Sequence, residues 1–209
     1  MFFVRFFLEE CPYPKSDWFI RPCKNLGVIN ASHKLYYFLG LECFGGQGYI
    51  EETPMPRIFR DSQVLPIWEG TSTVMSLDVL RSIQKSRGST LKTLLGDIQQ
   101  KIESASARQA LEPAVVSLGG HLRSLGKFIK KSQMETADFQ LKSARDFAFT
   151  LAKLYQAVLL LDHANFTGKS TDIYAANHFS ATQLNDLIHD YSAEAAKNEF
   201  DLVFANYSR

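Results

Sequence analysis

Residues 41–81 read LECFGGQGYIEETPMPRIFRDSQVLPIWEGTSTVMSLDVLR, and the way this stretch divides into helix, turn and helix decides how the chain is organised. Leu35, Tyr36, Leu39 and Cys43 recur at helical spacing, and Asn30 or Ser32 can cap the helix they imply. Gly45-Gly46 ends that helix, because glycine takes the left-handed C-cap conformation at little steric cost. From Ile50 to Pro66, three prolines and few periodic apolar residues predict a loop, with a short helical turn at Arg57 to Asp61. Thr71 or Ser72 then caps a second helix whose buried stripe is Val74, Leu77, Val79, Leu80 and Ile83, and Gly88 ends it.

Downstream the helical period continues. Leu91, Leu94, Leu95, Ile98 and Ile102 make one stripe, and Leu111, Val115, Leu118, Leu122, Leu125 and Ile129 make the next. Between Glu135 and Asn165 the apolar face widens to include Phe139, Ala144, Phe147, Leu151, Leu154, Tyr155, Val158, Leu160 and Leu161, which predicts a central, heavily buried helix stopped by Gly168. Ser180 to Gln183 reads as a capping box that opens a last helix through Leu184, Leu187, Ile188 and Tyr191, extending toward Phe204. No hairpin signal interrupts this order, so the expected class is all-α, a helical bundle with a C-terminal helical extension. Upstream, Pro12, Pro14 and Pro22 break any helix in the head. The expected division is a poorly organised head at 1–29, a helical domain at 30–87 and the extension at 88–209.

With 209 residues the chain is long enough to bury a core, and at 45% hydrophobic and 22% charged it has an ordinary globular composition. No apolar run reaches the length of a membrane span. Cys11, Cys23 and Cys43 are odd in number and lack metal-ligand spacing, which suits a reducing, intracellular compartment, whether mitochondrial, peroxisomal or cytoplasmic. Five histidines (His33, His121, His163, His178, His189) show no metal spacing either, so no metal site is expected. Charge is uneven: 8 basic and 9 acidic residues in 1–83, 9 and 3 in 84–131, and 6 and 10 in 132–209. The basic middle, with Lys85, Arg87, Lys92, Lys101, Arg108, Arg123, Lys127, Lys130 and Lys131, has two readings. One is a solvated face answered by acidic neighbours. The other is an anion-binding surface, for which nucleic acid is a candidate.

The central stretch holds the candidate chemistry. A hydrated carboxylate is a weak base, but apolar neighbours such as Leu65, Pro66, Ile67 and Trp68 would disfavour the charged form of Glu69 and raise its basicity. The alternative for Glu69 is an acid placed to meet a helix dipole. Glycines 45, 46 and 48 let backbone amides approach a phosphate or sugar, or else form an ordinary turn. Thr71, Ser72 and Thr73 sit where free helix amides favour a pyrophosphate. Arg57, Arg60 and Asp61 are candidate ligands, or else Arg60-Asp61 is an ion pair that fixes the loop.

Taken together, Gly45-Gly46-Gln47-Gly48-Tyr49, Arg60-Asp61 and Ile67-Trp68-Glu69-Gly70-Thr71 stand in the order and spacing of the C-terminal α-helical domain of acyl-CoA dehydrogenases. The run MSLDVLR after IWEGT is similar to the AidB-type branch of that family. The resemblance covers Asn30 to Arg81 directly and the remainder to Arg209 by position and length. It implies FAD as cofactor, an acyl-CoA as substrate and a homo-oligomer, either tetramer or dimer. It further implies Glu69 as the base that takes the α-proton and Gly70 as a substrate contact, with Glu42, Cys43, Phe44, Gly45, Gly46, Thr71, Ser72 and Thr73 at the flavin. Glu42 replaces a Gln found in many members, and Thr73 replaces an amide side chain. Several hundred residues precede this region in intact members. This chain is therefore expected to be a fragment, an alternative product or a mistaken gene model, with little activity alone. AidB-type relatives include nucleic-acid binders, and the basic middle is where such contact would lie.

Overall fold

A computed structural model describes residues 39–64, 67, 70–182 and 184, and among them there is helix and turn but no strand. Residues 39–43 are helical. They are followed by α1 (Gly46–Tyr49), α2 (Met55–Ser62), α3 (Ser72–Lys85) and α4 (Ser89–Ala105). A 3-10 turn at Gln109–Leu111 leads into α5 (Glu112–Met134), α6 (Ala137–Thr167) and α7 (Ser170–Thr182). The expected helical bundle is present. The expectations for the head at 1–29, for the cap at Asn30 or Ser32 and for a helix through residues 187–204 lie outside the described residues.

α6 is the axis of the bundle and packs against α3, α4, α5 and α7. Its sequence explains why. Ala144, Ala148, Ala152, Ala157 and Ala164 are buried between larger residues, so neighbouring helices approach on more than one side. Leu151, Leu154, Val158 and Leu161 are almost wholly removed from water, and each such side chain contributes about 1.5–3 kcal/mol of transfer free energy. At one end Phe128 lies between Phe139 and Phe147, with ring centroids 6.0 and 5.8 Å apart. Thr136 caps the start by accepting from the Phe139 N–H at 3.3 Å, and Gly168 ends α6 in the left-handed conformation at φ 64°.

Two stretches differ from the sequence reading. In α3 Val74 is exposed, and the buried positions are Met75, Ser76, Val79 and Ser82, with Leu80 and Ile83 packed behind them. The two serines satisfy their hydroxyls on the preceding turn, Ser76 to the Ser72 carbonyl at 2.7 Å and Ser82 to that of Asp78 at 2.8 Å. That bonding lets polar residues occupy a buried stripe. The second difference is α7. Ser180 does not open a helix but lies buried in the last turn of one, while Gln183 lies outside the described residues. α7 packs Ile173, Ala176 and Phe179 on the core, and polar contacts also dock it. The Asn177 side chain accepts from the Ala114 N–H at 3.2 Å and donates to the Ala110 carbonyl at 2.9 Å, and the Ser117 hydroxyl donates to the Ser180 carbonyl at 2.9 Å.

The turn between α3 and α4 is also closed differently from a simple glycine stop. Arg87 takes the left-handed conformation, at φ 51°, with its N–H on the Gln84 carbonyl, while the Gly88 N–H reaches Ile83 at 2.9 Å. These two bonds satisfy the last carbonyls of α3.

Candidate functional site

The helix at 39–43 ends as the glycines require. Phe44 and Gly45 return their N–H groups to the carbonyls of Leu41 and Glu42 at 3.1 and 3.0 Å, and Gly45 adopts φ 54°. Glu42, Cys43, Phe44, Gly45 and Gly46 all face solvent. The Gly46 N–H has no acceptor among the described residues. A Cβ at Gly45 or Gly46 would enter open space, whereas one at Gly48 would stand 3.0 Å from the Leu41 carbonyl carbon and overlap its oxygen. Gly48 is therefore the position where the close return of the chain demands glycine. Gly45 and Gly46 leave the backbone uncovered.

α1 and α2 pack on one another to form a small arm. It has almost no apolar core: between residues 39 and 64 only Gly48, Pro56 and Ser62 are buried. Polar ties hold it instead. The Thr53 hydroxyl donates to the Gln47 carbonyl at 2.6 Å. Arg60 donates from both terminal nitrogens to the two carboxylate oxygens of Glu51, at 2.6 and 3.0 Å. The pair expected between Arg60 and Asp61 does not form. Adjacent residues on a helix point in different directions, so Asp61 meets Arg57 one turn back, at 3.6 Å, and Arg60 reaches across to the loop. The guanidinium hydrogen bond holds the Glu51 carboxyl below its ordinary range and raises Arg60 in return.

Leu65, Pro66, Trp68 and Glu69 lie outside the described residues. Gly70, next in line, has φ 119°, and a Cβ there would meet Val74 Cγ1 at 3.2 Å and Met75 Sδ at 3.3 Å. Thr71 is the N-cap of α3 in an extended conformation, and its side chain makes no capping bond. The Met75 N–H closes on the Thr71 carbonyl at 2.9 Å, while the N–H groups of Ser72, Thr73 and Val74 have no acceptor among the described residues. Among the described residues no side chain caps the start of α3, and free helix amides suit an anion.

No hydrogen bond or ion pair joins residues 42–46 to residues 70–73 among the described residues. They are two separate backbone features on the same chain. No group of three metal-ligating side chains occurs among the described residues, and no described helix is long and apolar enough to cross a membrane. The basic middle does not form one uniform face. Lys101 is largely covered and pairs with Asp97 at 3.0 Å and Asp162 at 3.5 Å. Arg108 donates to the Asn165 carbonyl at 3.0 Å, and Lys131 lies over the Phe139 ring. Arg123, Lys127 and Lys130 remain exposed. Sequence reasoning passed over Glu51 and Thr53, which hold the arm together. An acid nine residues before an arginine carries no periodic signal.

Comparison with known proteins bears on both halves of the chain. Residues 89–204 match the family model described as acyl-CoA dehydrogenase 11 C-terminal domain-like, and residues 35–84 match that of the acyl-CoA dehydrogenase C-terminal domain. Acyl-CoA dehydrogenase family member 11 of Caenorhabditis elegans is 36% identical over 183 residues, covering 81% of this chain and 28% of its own length. The crystal structure of that worm protein, in complex with C11-CoA, superposes with a TM-score of 0.81 at 31% identity, over 92% of this chain and 33% of that one. The putative acyl-CoA dehydrogenase AidB of Escherichia coli is 48% identical, but over 48 residues, 23% of this chain. Likeness to AidB is therefore confined to a short stretch, while likeness to the worm protein runs through the bundle. The chain spans about a third or less of these relatives.

Proposed function

Because the chain belongs to the acyl-CoA dehydrogenase 11 C-terminal domain-like family, we propose that it supplies the C-terminal helical part of an FAD-dependent acyl-CoA dehydrogenase. The observation that carries this reading is the uncapped start of α3 at Thr71-Ser72-Thr73, directly after the Trp68-Glu69-Gly70 motif. Helix amides without a side-chain cap suit a pyrophosphate, and the uncovered backbone at Gly45 and Gly46 suits an adenosine or sugar moiety. The described residues thus fit the cofactor. When bound, FAD supplies the hydride acceptor for the β-carbon of an acyl-CoA.

The roles of the chain's own residues follow from this reading. Glu69 takes the α-proton of the thioester, and the Gly70 backbone contacts the substrate. Thr71, Ser72 and Thr73 hold the pyrophosphate of the flavin. Glu42, Cys43, Phe44, Gly45 and Gly46 reach the adenosine-diphosphate half of the flavin of a second subunit, so the working form is a homo-oligomer. The exposure of Phe44 supports a contact outside its own subunit. The domain division at 30–87 and 88–209 and the affinity of residues 41–81 for the AidB-type branch belong to the same reading.

The test is spectroscopic. The protein, together with any upstream sequence its gene encodes, is reconstituted with FAD and mixed with medium- and long-chain acyl-CoA. Flavin bleaching is expected with at least one of them, and Glu69→Gln should slow it by about 10²-fold or more, the usual scale for a general base. A flavin that stays yellow with every acyl-CoA, or an unimpaired Glu69→Gln variant, overturns the reading.

A further inference from the structure

We propose that Glu51 and Arg60 are positioning residues for the flavin, acting through the glycine turn. This rests on the reading of residues 42–46 as flavin contacts. Three observations carry it. First, the arm formed by α1 and α2 buries only Gly48, Pro56 and Ser62, so apolar packing does not fix the angle between its two helices. Second, the ties that cross the arm are polar and few. The Arg60 guanidinium grips both oxygens of Glu51, immediately after Ile50, and the Thr53 hydroxyl holds the Gln47 carbonyl. Third, the tied segment is continuous with the turn. The Gly48 N–H bonds to the Gly45 carbonyl at 3.0 Å and the Ile50 N–H to that of Gly46 at 3.2 Å, so movement at Glu51 is passed to the glycines.

An exposed ion pair ordinarily does little, but two-point Arg–carboxylate geometry is the exception, because it fixes orientation as well as distance. Here that orientation is the pose of α1, and with it of the backbone at Gly45 and Gly46. Losing the pair leaves the bundle intact, since the core around α6 does not involve the arm. What changes is the fraction of time the turn holds the pose that receives the cofactor.

The experiment titrates the protein, together with any upstream sequence its gene encodes, with FAD by flavin fluorescence, alongside amide hydrogen exchange of the FAD-free protein. Glu51→Gln and Arg60→Gln should each weaken FAD by about threefold to tenfold, the scale of a well-oriented ion pair. Each should also speed exchange at the Gly48 and Ile50 amides while leaving amides of α6 protected. The charge reversal Glu51→Arg with Arg60→Glu should recover most of the affinity, which mere loss of folding would not allow. If wild type binds FAD and both single variants bind it equally well, the positioning role is overturned and the flavin reading stands. If the protein carrying its full upstream sequence takes up no FAD, both fall.

Discussion

Asn177, near the end of α7, accepts a hydrogen bond from the backbone N–H of Ala114, 63 residues earlier, in the first turn of α5. A residue from another helix thus does the work of an N-cap. Ala114 is fully buried, so its N–H has no access to water if the acceptor goes. Asn177→Ala should cost about 1–3 kcal/mol, the penalty of an orphaned buried donor, and Asn177→Asp, which keeps an acceptor, should cost less. Thermal denaturation checks both. Equal losses would show that the Ala114 bond is not what matters.

Glycine plays opposite roles along the chain. Gly96, Gly120 and Gly126 lie inside helices with nothing within 4 Å of an added Cβ. Alanine at each should therefore stabilise by about 0.5–1 kcal/mol. Arg87 shows the reverse situation, a side chain at φ 51°, so Arg87→Gly should stabilise by about 1 kcal/mol. Gly48→Ala should disrupt the arm, since its Cβ would overlap the Leu41 carbonyl oxygen. Chemical denaturation ranks the first four, and hydrogen exchange of the turn reads the last.

Acid should loosen two identifiable places. The Glu51 carboxyl is held below its ordinary value of 4.5 mainly by the Arg60 hydrogen bond, and Asp172 below 3.8 mainly by the hydroxyl of Thr167 at 2.6 Å. A depressed folded value means the stabilisation is present above those ordinary values and is lost as pH falls through the lower folded ones. Stability should therefore decline below about pH 4.5, with a shallower decline in Glu51→Gln. In Thr167→Val the Asp172 carboxyl should titrate at higher pH, as followed by NMR, with His163, at 3.6 Å, still lowering it in part.

Lys101 shows what part of the basic middle does. Its side chain is 12% exposed and lies between Asp97 on its own helix and Asp162 on α6. Lys101→Ala leaves two carboxylates facing each other across α4 and α6 and should cost about 1–3 kcal/mol. High salt should diminish that difference only weakly, because the pair is partly covered. A loss confined to low salt would mark the pair as an ordinary surface contact.

The order of helices was legible because periodicity survives wherever burial is apolar. Leu91, Ile98 and Ile102 in α4, Leu118 and Leu125 in α5 and the broad face of α6 stand where their spacing placed them. Legibility failed where polar groups do the packing. α7 is docked in part by the Asn177 side chain and the Ser180 carbonyl, contacts invisible to a hydrophobic period, and α3 buries Ser76 and Ser82. In the candidate site the helix end at Gly45 and the extended cap at Thr71 followed from local backbone rules. The Glu51–Arg60 pair did not, because only the folded arm brings the two together. Glu69, the proposed base, lies outside the described residues and was singled out chiefly by resemblance.

α3 begins at the candidate pyrophosphate contacts yet finds its burial against α6, which comes more than fifty residues later. The matched families meet between residues 84 and 89, and α3 of the first packs on α6 of the second across that boundary. A protease nick at Arg87 should leave the two pieces held together, whereas a chain cut short after Gly88 would leave Val79 and its neighbours wet and Thr71 to Thr73 without a firm foundation. The long downstream bundle is in this sense the anvil on which the earlier site is held.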